Sequence, residues 1–130
     1  MIDNVWLFGY ITKYTKGEIK MKSMVKPQYE ARAKIIKAMA HPSRLFIIEE
    51  LSKHECCVNE LTKMIGSDFS TVSKHLSVLK NAGLVIDEKR GKSIFYRLRV
   101  PCIMDFFGCV EDVLSINAKE NANILKCCKK

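Results

Sequence analysis

Val58-Asn-Glu-Leu-Thr-Lys-Met-Ile-Gly-Ser-Asp-Phe-Ser-Thr-Val-Ser-Lys-His-Leu-Ser-Val-Leu-Lys-Asn-Ala-Gly83 is the stretch on which the fold turns. Val58, Leu61 and Ile65 recur at helical spacing, and Gly66 closes the segment because glycine readily takes the left-handed conformation at a helix end. Ser67 and Asp68 then offer capping oxygens to a second helix, with Phe69, Val72, Leu76 and Leu79 on one face and a stop at Asn81-Ala82-Gly83. Two helices joined by a turn of a few residues form a helix-turn-helix pattern.

Upstream, Ala31, Ile35, Ala38 and Met39 mark a helix from Pro27 onward. His41-Pro42-Ser43 breaks it and restarts the chain, since proline suits a first helical turn and disfavours helix in the residue before it. Leu45, Ile47, Ile48 and Leu51 then predict a deeply buried helix ending near His54. Downstream, Leu84-Val-Ile86 and Ser93-Ile-Phe-Tyr-Arg-Leu98 read as short strands around the charged turn Asp87 to Lys92. Pro101 opens a last helix whose Ile103, Phe106, Phe107, Val110, Val113 and Leu114 form a wide apolar stripe to about Ile116. A terminal helix that apolar docks on something, and a second subunit is the natural candidate. The expected architecture is mainly α with a small β-hairpin, a homodimeric winged helix-turn-helix spanning residues 27–116. Residues 1–26 form an N-terminal extension, and 117–130 a polar, disordered tail ending in Cys-Cys-Lys-Lys.

With 130 residues, the chain suits one compact domain. No apolar run approaches the roughly 18 residues of a membrane span. Val5 to Ile11 is apolar, but Asp3 rather than a basic residue precedes it and no small-residue cleavage site follows, so no signal peptide is expected. A cytoplasmic protein with reduced thiols is therefore expected. The net charge of +8 points to an acidic partner, of which nucleic acid is the commonest.

On a helical wheel, Ser70, Lys74, Ser77 and Asn81 lie opposite Val72, Leu76 and Leu79, flanked by Thr71 and Ser73. That face carries no acidic residue, and its hydroxyl, amide and ammonium groups suit base edges and phosphates in a major groove of double-stranded DNA. Lys89, Arg90 and Lys92 in the hairpin turn can neutralise phosphates beside it. His75 projects to the edge of the buried face, as a packed or hydrogen-bonded histidine.

Ala38-Met-Ala-His-Pro-Ser-Arg-Leu-Phe-Ile-Ile-Glu-Glu-Leu51, Val58-Asn-Glu-Leu61, Ser70 to Val85 and Lys89-Arg-Gly-Lys-Ser-Ile-Phe-Tyr-Arg-Leu98 occur in an order and spacing that resemble the ArsR/SmtB family of metal-sensing repressors. The resemblance covers about Ala31 to Leu114. It implies a homodimer held by its first and last helices, two recognition helices entering successive major grooves of a palindromic operator, and release when an inducer binds. No membrane partner is implied, and no cofactor is needed for the fold.

The six cysteines are Cys56, Cys57, Cys102, Cys109, Cys127 and Cys128. Neighbouring cysteines bridge only in a strained ring, so soft-ion binding or redox chemistry is the use to consider. In family members that sense soft ions, a cysteine box opens the third helix. Cys57 occupies its leading position, preceded by Cys56, whereas Asn59 and Thr62 stand where the arsenite-responsive version has further cysteines. Two thiolates leave arsenic, cadmium or lead short of ligands. Cys102, beside a helix N-terminus that favours thiolate, is the first candidate to complete the site. Cys109, Cys127 and Cys128 are the others, with Asp105 or Asp112 as neighbours. Cys102 and Cys109 lie about 10.5 Å apart along one helix and cannot share an ion within one chain. The leading expectation is a repressor released by arsenite, cadmium or lead bound to thiolates. The alternatives are a thiol-redox or persulfide sensor of the same fold and a winged-helix module that binds protein. No nucleophile–base pair, phosphate loop or hydrolase motif marks an enzyme.

Overall fold

The computed structural model describes residues 26–127. Residues 26–34, the start of α1 (Lys26–Met39), belong to one unit and the chain from Ile35 onward to another. In the first, the Arg32 guanidinium lies over the Tyr29 ring at 5.6 Å. In the second, the elements run α2 (Pro42–Lys53), β1 (Cys56–Cys57), α3 (Val58–Ile65), α4 (Phe69–Asn81), β2 (Val85–Arg90), β3 (Ser93–Leu98) and α5 (Ile103–Cys127). The strands form one antiparallel sheet in the order β1-β3-β2. The architecture is a winged helix-turn-helix, with α3 and α4 as the helix pair and β2–β3 as the wing.

Each helix boundary has a local cause. Pro42 occupies the first turn of α2, and the Nδ1 of His41 accepts the Ser43 N–H at 3.1 Å as N-cap. At α3, the Glu60 carboxylate reaches back to accept the Cys57 N–H at 2.8 Å, and Gly66 at φ 71° ends the helix in the left-handed region. Asp68 caps α4 by accepting the Thr71 N–H at 3.0 Å and its hydroxyl at 2.6 Å. These bonds from Thr71 hold the Asp68 carboxyl below its ordinary pKa.

Ile47, Ile48, Leu51, Val58, Leu61, Val72, Leu76, Leu79, Leu84, Val85 and Leu98 form the buried core, joined by Ala38 and Met39. Ile103, Met104 and Phe107 pack against it from α5. Phe69 departs from its expected place on the buried face and is 56% exposed. It is the first residue of α4, and helix side chains lean toward the N-terminus, so its ring projects past the end of the helix. Leu45 and Ile35 are likewise exposed rather than buried, and Ala31 is exposed in its own unit. The wing strands run longer than alternation suggests: pairing continues to Arg90↔Ser93, leaving Gly91 and Lys92 as a tight turn, with Gly91 at φ 62°. The last helix continues past Ile116 to Cys127, because the alanines, Lys119 and Glu120 that follow favour helix although Asn117 to Asn123 bury no apolar face. The expected disordered tail is thus helical through Cys127; Cys128 and the N-terminal extension through residue 25 lie outside the described residues.

Candidate nucleic-acid interface

The side chains of α4 divide as the helical wheel requires. Val72, Leu76 and Leu79 are buried, whereas Ser70, Lys74, Ser77 and Asn81 are exposed and Thr71 and Ser73 are half-buried along the flank. Two of the hydroxyls are already engaged: Thr71 donates to Asp68, and Ser77 donates to the Ser73 carbonyl at 2.9 Å. A serine bonded back to its own helix keeps acceptor capacity for an incoming donor. Lys74 sits at the centre of the exposed face.

Along the wing, directly paired residues share a face of the sheet. Asp87, Lys89 and Ile94 lie on one face, and Glu88, Arg90, Ser93 and Phe95 on the other. Asp87 accepts from Lys80 of α4 at 2.8 Å, which fastens the wing to that helix. That bond raises the Lys80 pKa. Lys89 and Lys92 are exposed and form no ion pair among the described residues. Arg90 differs: it donates to Glu55 and Glu88, each at 2.8 Å, and its guanidinium lies over Phe95 at 5.1 Å. The Arg90 bond also holds the Glu88 carboxyl below its usual range. Of the three wing cations expected to meet phosphates, Arg90 is thus the one already committed within the fold. Nothing in a one-dimensional reading pairs it with Glu55, because the two meet only through the tertiary structure.

The structure separates the thiols. Cys56 and Cys57 form β1, paired to Tyr96 and Phe95 of β3, and successive strand residues face opposite sides. Cys56 is 0% exposed within the core, and burial pushes its thiol up to about 11, helped by the negative charge of Glu60. The expectation of two adjacent thiolates opening a shared metal site is therefore not what this geometry presents: Cys56 is a packed apolar side chain. Cys57 faces the other way and lines a cleft of about 190 Å³ together with Asn59, Phe69, Lys92 and Ile94. Strand pairing by two residues is too short to leave a periodic signal, so neither the cleft nor the opposed thiols could be read from sequence. Cys102 and Cys109 are exposed, at the start and on the outer side of α5, and Cys127 ends that helix. Among the described residues, no three His, Cys, Asp or Glu side chains of one chain converge on a point that could hold an ion. Also among them, no helix is long and apolar enough to cross a membrane.

His75 lies half-buried between α4 and α2, its ring 4.4 Å from that of His41 and its Nδ1 3.5 Å from Arg44 Nη1. It is a packing histidine, as its place on the edge of the buried face suggests.

Comparison with known proteins matches this arrangement. The family model described as "Bacterial regulatory protein, arsR family" matches residues 41–87, which span α2 to the start of the wing. The HTH-type transcriptional regulator Rv0081 of Mycobacterium tuberculosis is 30% identical over 101 residues, covering 77% of this chain and 89% of that one. The biofilm growth-associated repressor of Agrobacterium fabrum is 39% identical over 82 residues, covering 63% of this chain and 69% of the relative. Among solved structures, that of Rv0081 superposes with a TM-score of 0.66 at 30% identity, over 74% of this chain and 97% of that one. NolR from Sinorhizobium fredii superposes at 0.63 with 31% identity, over 68% and 88%. Helix pair, wing, the acid-free exposed face of α4 and similarity across most of the relatives' length agree: the chain belongs to the ArsR family of helix-turn-helix transcriptional repressors, and is a DNA-binding regulator and not an enzyme.

Proposed function

We propose that the chain acts as a homodimer on a palindromic operator, reading it with Ser70, Thr71, Ser73, Lys74, Ser77 and Asn81 and gripping phosphates with Lys89, Lys92 and, when freed from its carboxylates, Arg90. The observation that carries this reading is the acid-free exposed face of α4 fastened to a basic wing by Lys80 and Asp87. Phe106, Val110, Val113 and Leu114 on α5, with Ile35 and Ile36 on α1, are exposed apolar side chains that favour a second copy as partner. A solved winged helix-turn-helix of Mycobacterium bovis is described as homodimeric, and Phe107 here packs inward while its neighbour Phe106 stays outside.

The proposed signal is a thiophilic one: arsenite, cadmium or lead held by thiolates, with Cys57 as the leading ligand. Because one chain does not assemble three donors from the described residues, the remaining ligands come from Cys102, Cys109, Cys127 or Cys128, within the dimer. Cys56 joins them only if β1 parts from β3. A thiol-redox or persulfide signal at Cys57 is the second reading, favoured by its position in a cleft with Lys92. The test is release of DNA from upstream of the reading frame, assayed under reducing conditions with arsenite, cadmium, lead and zinc, and separately with a polysulfide. Release by the ions supports the first reading, and release by the polysulfide alone supports the second. No binding to that DNA at any salt concentration would overturn both.

A further inference from the structure

Three basic side chains converge where the N-terminus of α2 meets the recognition helix. His41 caps α2, Arg44 lies one turn further on, and His75 projects from α4. The two imidazole centroids are 4.4 Å apart, and the Arg44 Nη1 is 3.5 Å from the His75 Nδ1. A guanidinium only donates, so the His75 Nδ1 must be the acceptor and its proton sits on Nε2. The Ser43 N–H also donates, to the His41 Nδ1 at 3.1 Å. Both contacts therefore require a lone pair that an imidazolium does not have.

Among the described residues, no acidic group is set against a positive charge on His75. From α2 the groups facing His75 are His41 and Arg44, and both act to disfavour its protonation. From α1 the neighbour is the Lys37 carbonyl, which accepts from Arg44 Nη2 at 3.5 Å. The Arg44 Nε is buried and has no hydrogen-bond partner among the described residues. No carboxylate among the described residues contributes to holding a charge on His75. Burial, and then the basic neighbours His41 and Arg44, keep the His75 imidazole below its ordinary value of 6.5.

We propose that His41, Arg44 and His75 are positioning residues for DNA binding, which seat the recognition helix on α2 only while both imidazoles are neutral, so that operator affinity falls on acidification. The inference rests on α4 being the reading helix. Its sign is diagnostic: added protons elsewhere make the protein more cationic and strengthen its hold on a polyanion, whereas this cluster weakens it. The contribution of the cluster is present in full above the unfolded imidazole's pKa of about 6.5 and is lost as pH falls toward the depressed folded value.

The experiment measures affinity for DNA from upstream of the reading frame by anisotropy from pH 8 to pH 5.5 at fixed ionic strength, alongside imidazole NMR titrations. With three histidines in the chain, and His54 elsewhere, the resonances are assignable by single substitution. The wild type should weaken roughly tenfold, which corresponds to one pKa unit of coupling. A His41→Asn, His75→Asn variant keeps an acceptor at each position and should bind with no loss on acidification. His41→Asp keeps the cap and adds a carboxylate facing Arg44, and should move the His75 titration upward. Affinity that holds or rises in the wild type on acidification, an unchanged profile in the double variant, or a His75 titration at or above 6.5 overturns the proposal. Lys74→Ala separates the premises: if it leaves binding unchanged, the reading face fails, and the NMR titrations still decide the cluster.

Discussion

Lys74 is the exposed centre of α4, with a hydroxyl-bearing residue on each side along the face. If it meets a base edge, Lys74→Ala costs about 1–3 kcal/mol of specific binding, whereas Lys92→Ala weakens all sequences alike and lowers the slope of log affinity on log salt by about 1. Anisotropy titrations at several salt concentrations, on cognate and scrambled DNA, separate the two, and wild-type behaviour of both variants would remove this face from consideration. At Cys57 and Cys56 the same scale divides function from packing. Cys57→Ser should leave DNA binding intact and abolish release by the thiophilic effector, because its side chain faces the cleft. Cys56→Ser should instead lower stability by about 1–3 kcal/mol through a hydroxyl placed in the core. Denaturant unfolding together with the release assay tests this division, and a Cys56→Ser protein of wild-type stability that no longer responds would reverse the assignment.

At the scale of elements, the wing is held at two points. Lys80 and Asp87 tie it to α4, and Arg90 ties it to Glu55, next to the thiol-bearing strand β1. These pairs are exposed and stabilise the fold little, but they restrict where the wing can sit. Arg90→Ala should therefore raise amide exchange in β2 and β3 while changing the salt slope less than Lys92→Ala does. Equal slopes for the two variants would place Arg90 on phosphate in the complex. The helix pair depends on its core face rather than on the wing: Leu76 is fully buried, and Leu76→Ala should cost about 2–5 kcal/mol in denaturant unfolding.

For the whole molecule, α5 is 25 residues long, about 37 Å at 1.5 Å per residue, and its first turns pack on the core through Ile103, Met104 and Phe107. Leu114 is 62% exposed and Val113 55%. A pair of substitutions, Val110→Glu with Leu114→Glu, should turn a dimer into a monomer in sedimentation at micromolar concentration while leaving the circular dichroism of the helices in place. Operator binding should fall with it, since two half-sites are then no longer engaged together. Variants that sediment as the wild type would show that the partner surface lies elsewhere.

The helix-turn-helix, the hydrophobic faces of α2 to α4, the wing and a last helix opening within two residues of Pro101 were legible because each is a local pattern: apolar spacing, a capping oxygen, a glycine or a proline acts on residues within a turn or two. The exposed face of α4 was legible for the same reason, since burying Val72, Leu76 and Leu79 forces Lys74 and Ser77 outward. The length of α5 was missed because a polar sequence near its end carries no burial pattern and is helical only by propensity. Phe69 was misplaced because periodicity takes no account of where a helix begins. Only the tertiary structure could decide that Cys56 faces the core and Cys57 the cleft, that Arg90 is paired with Glu55, and that His41, Arg44 and His75 meet. These groups are distant in sequence or set by a two-residue strand, and the packing of α2, α4 and the sheet alone determines which of them touch.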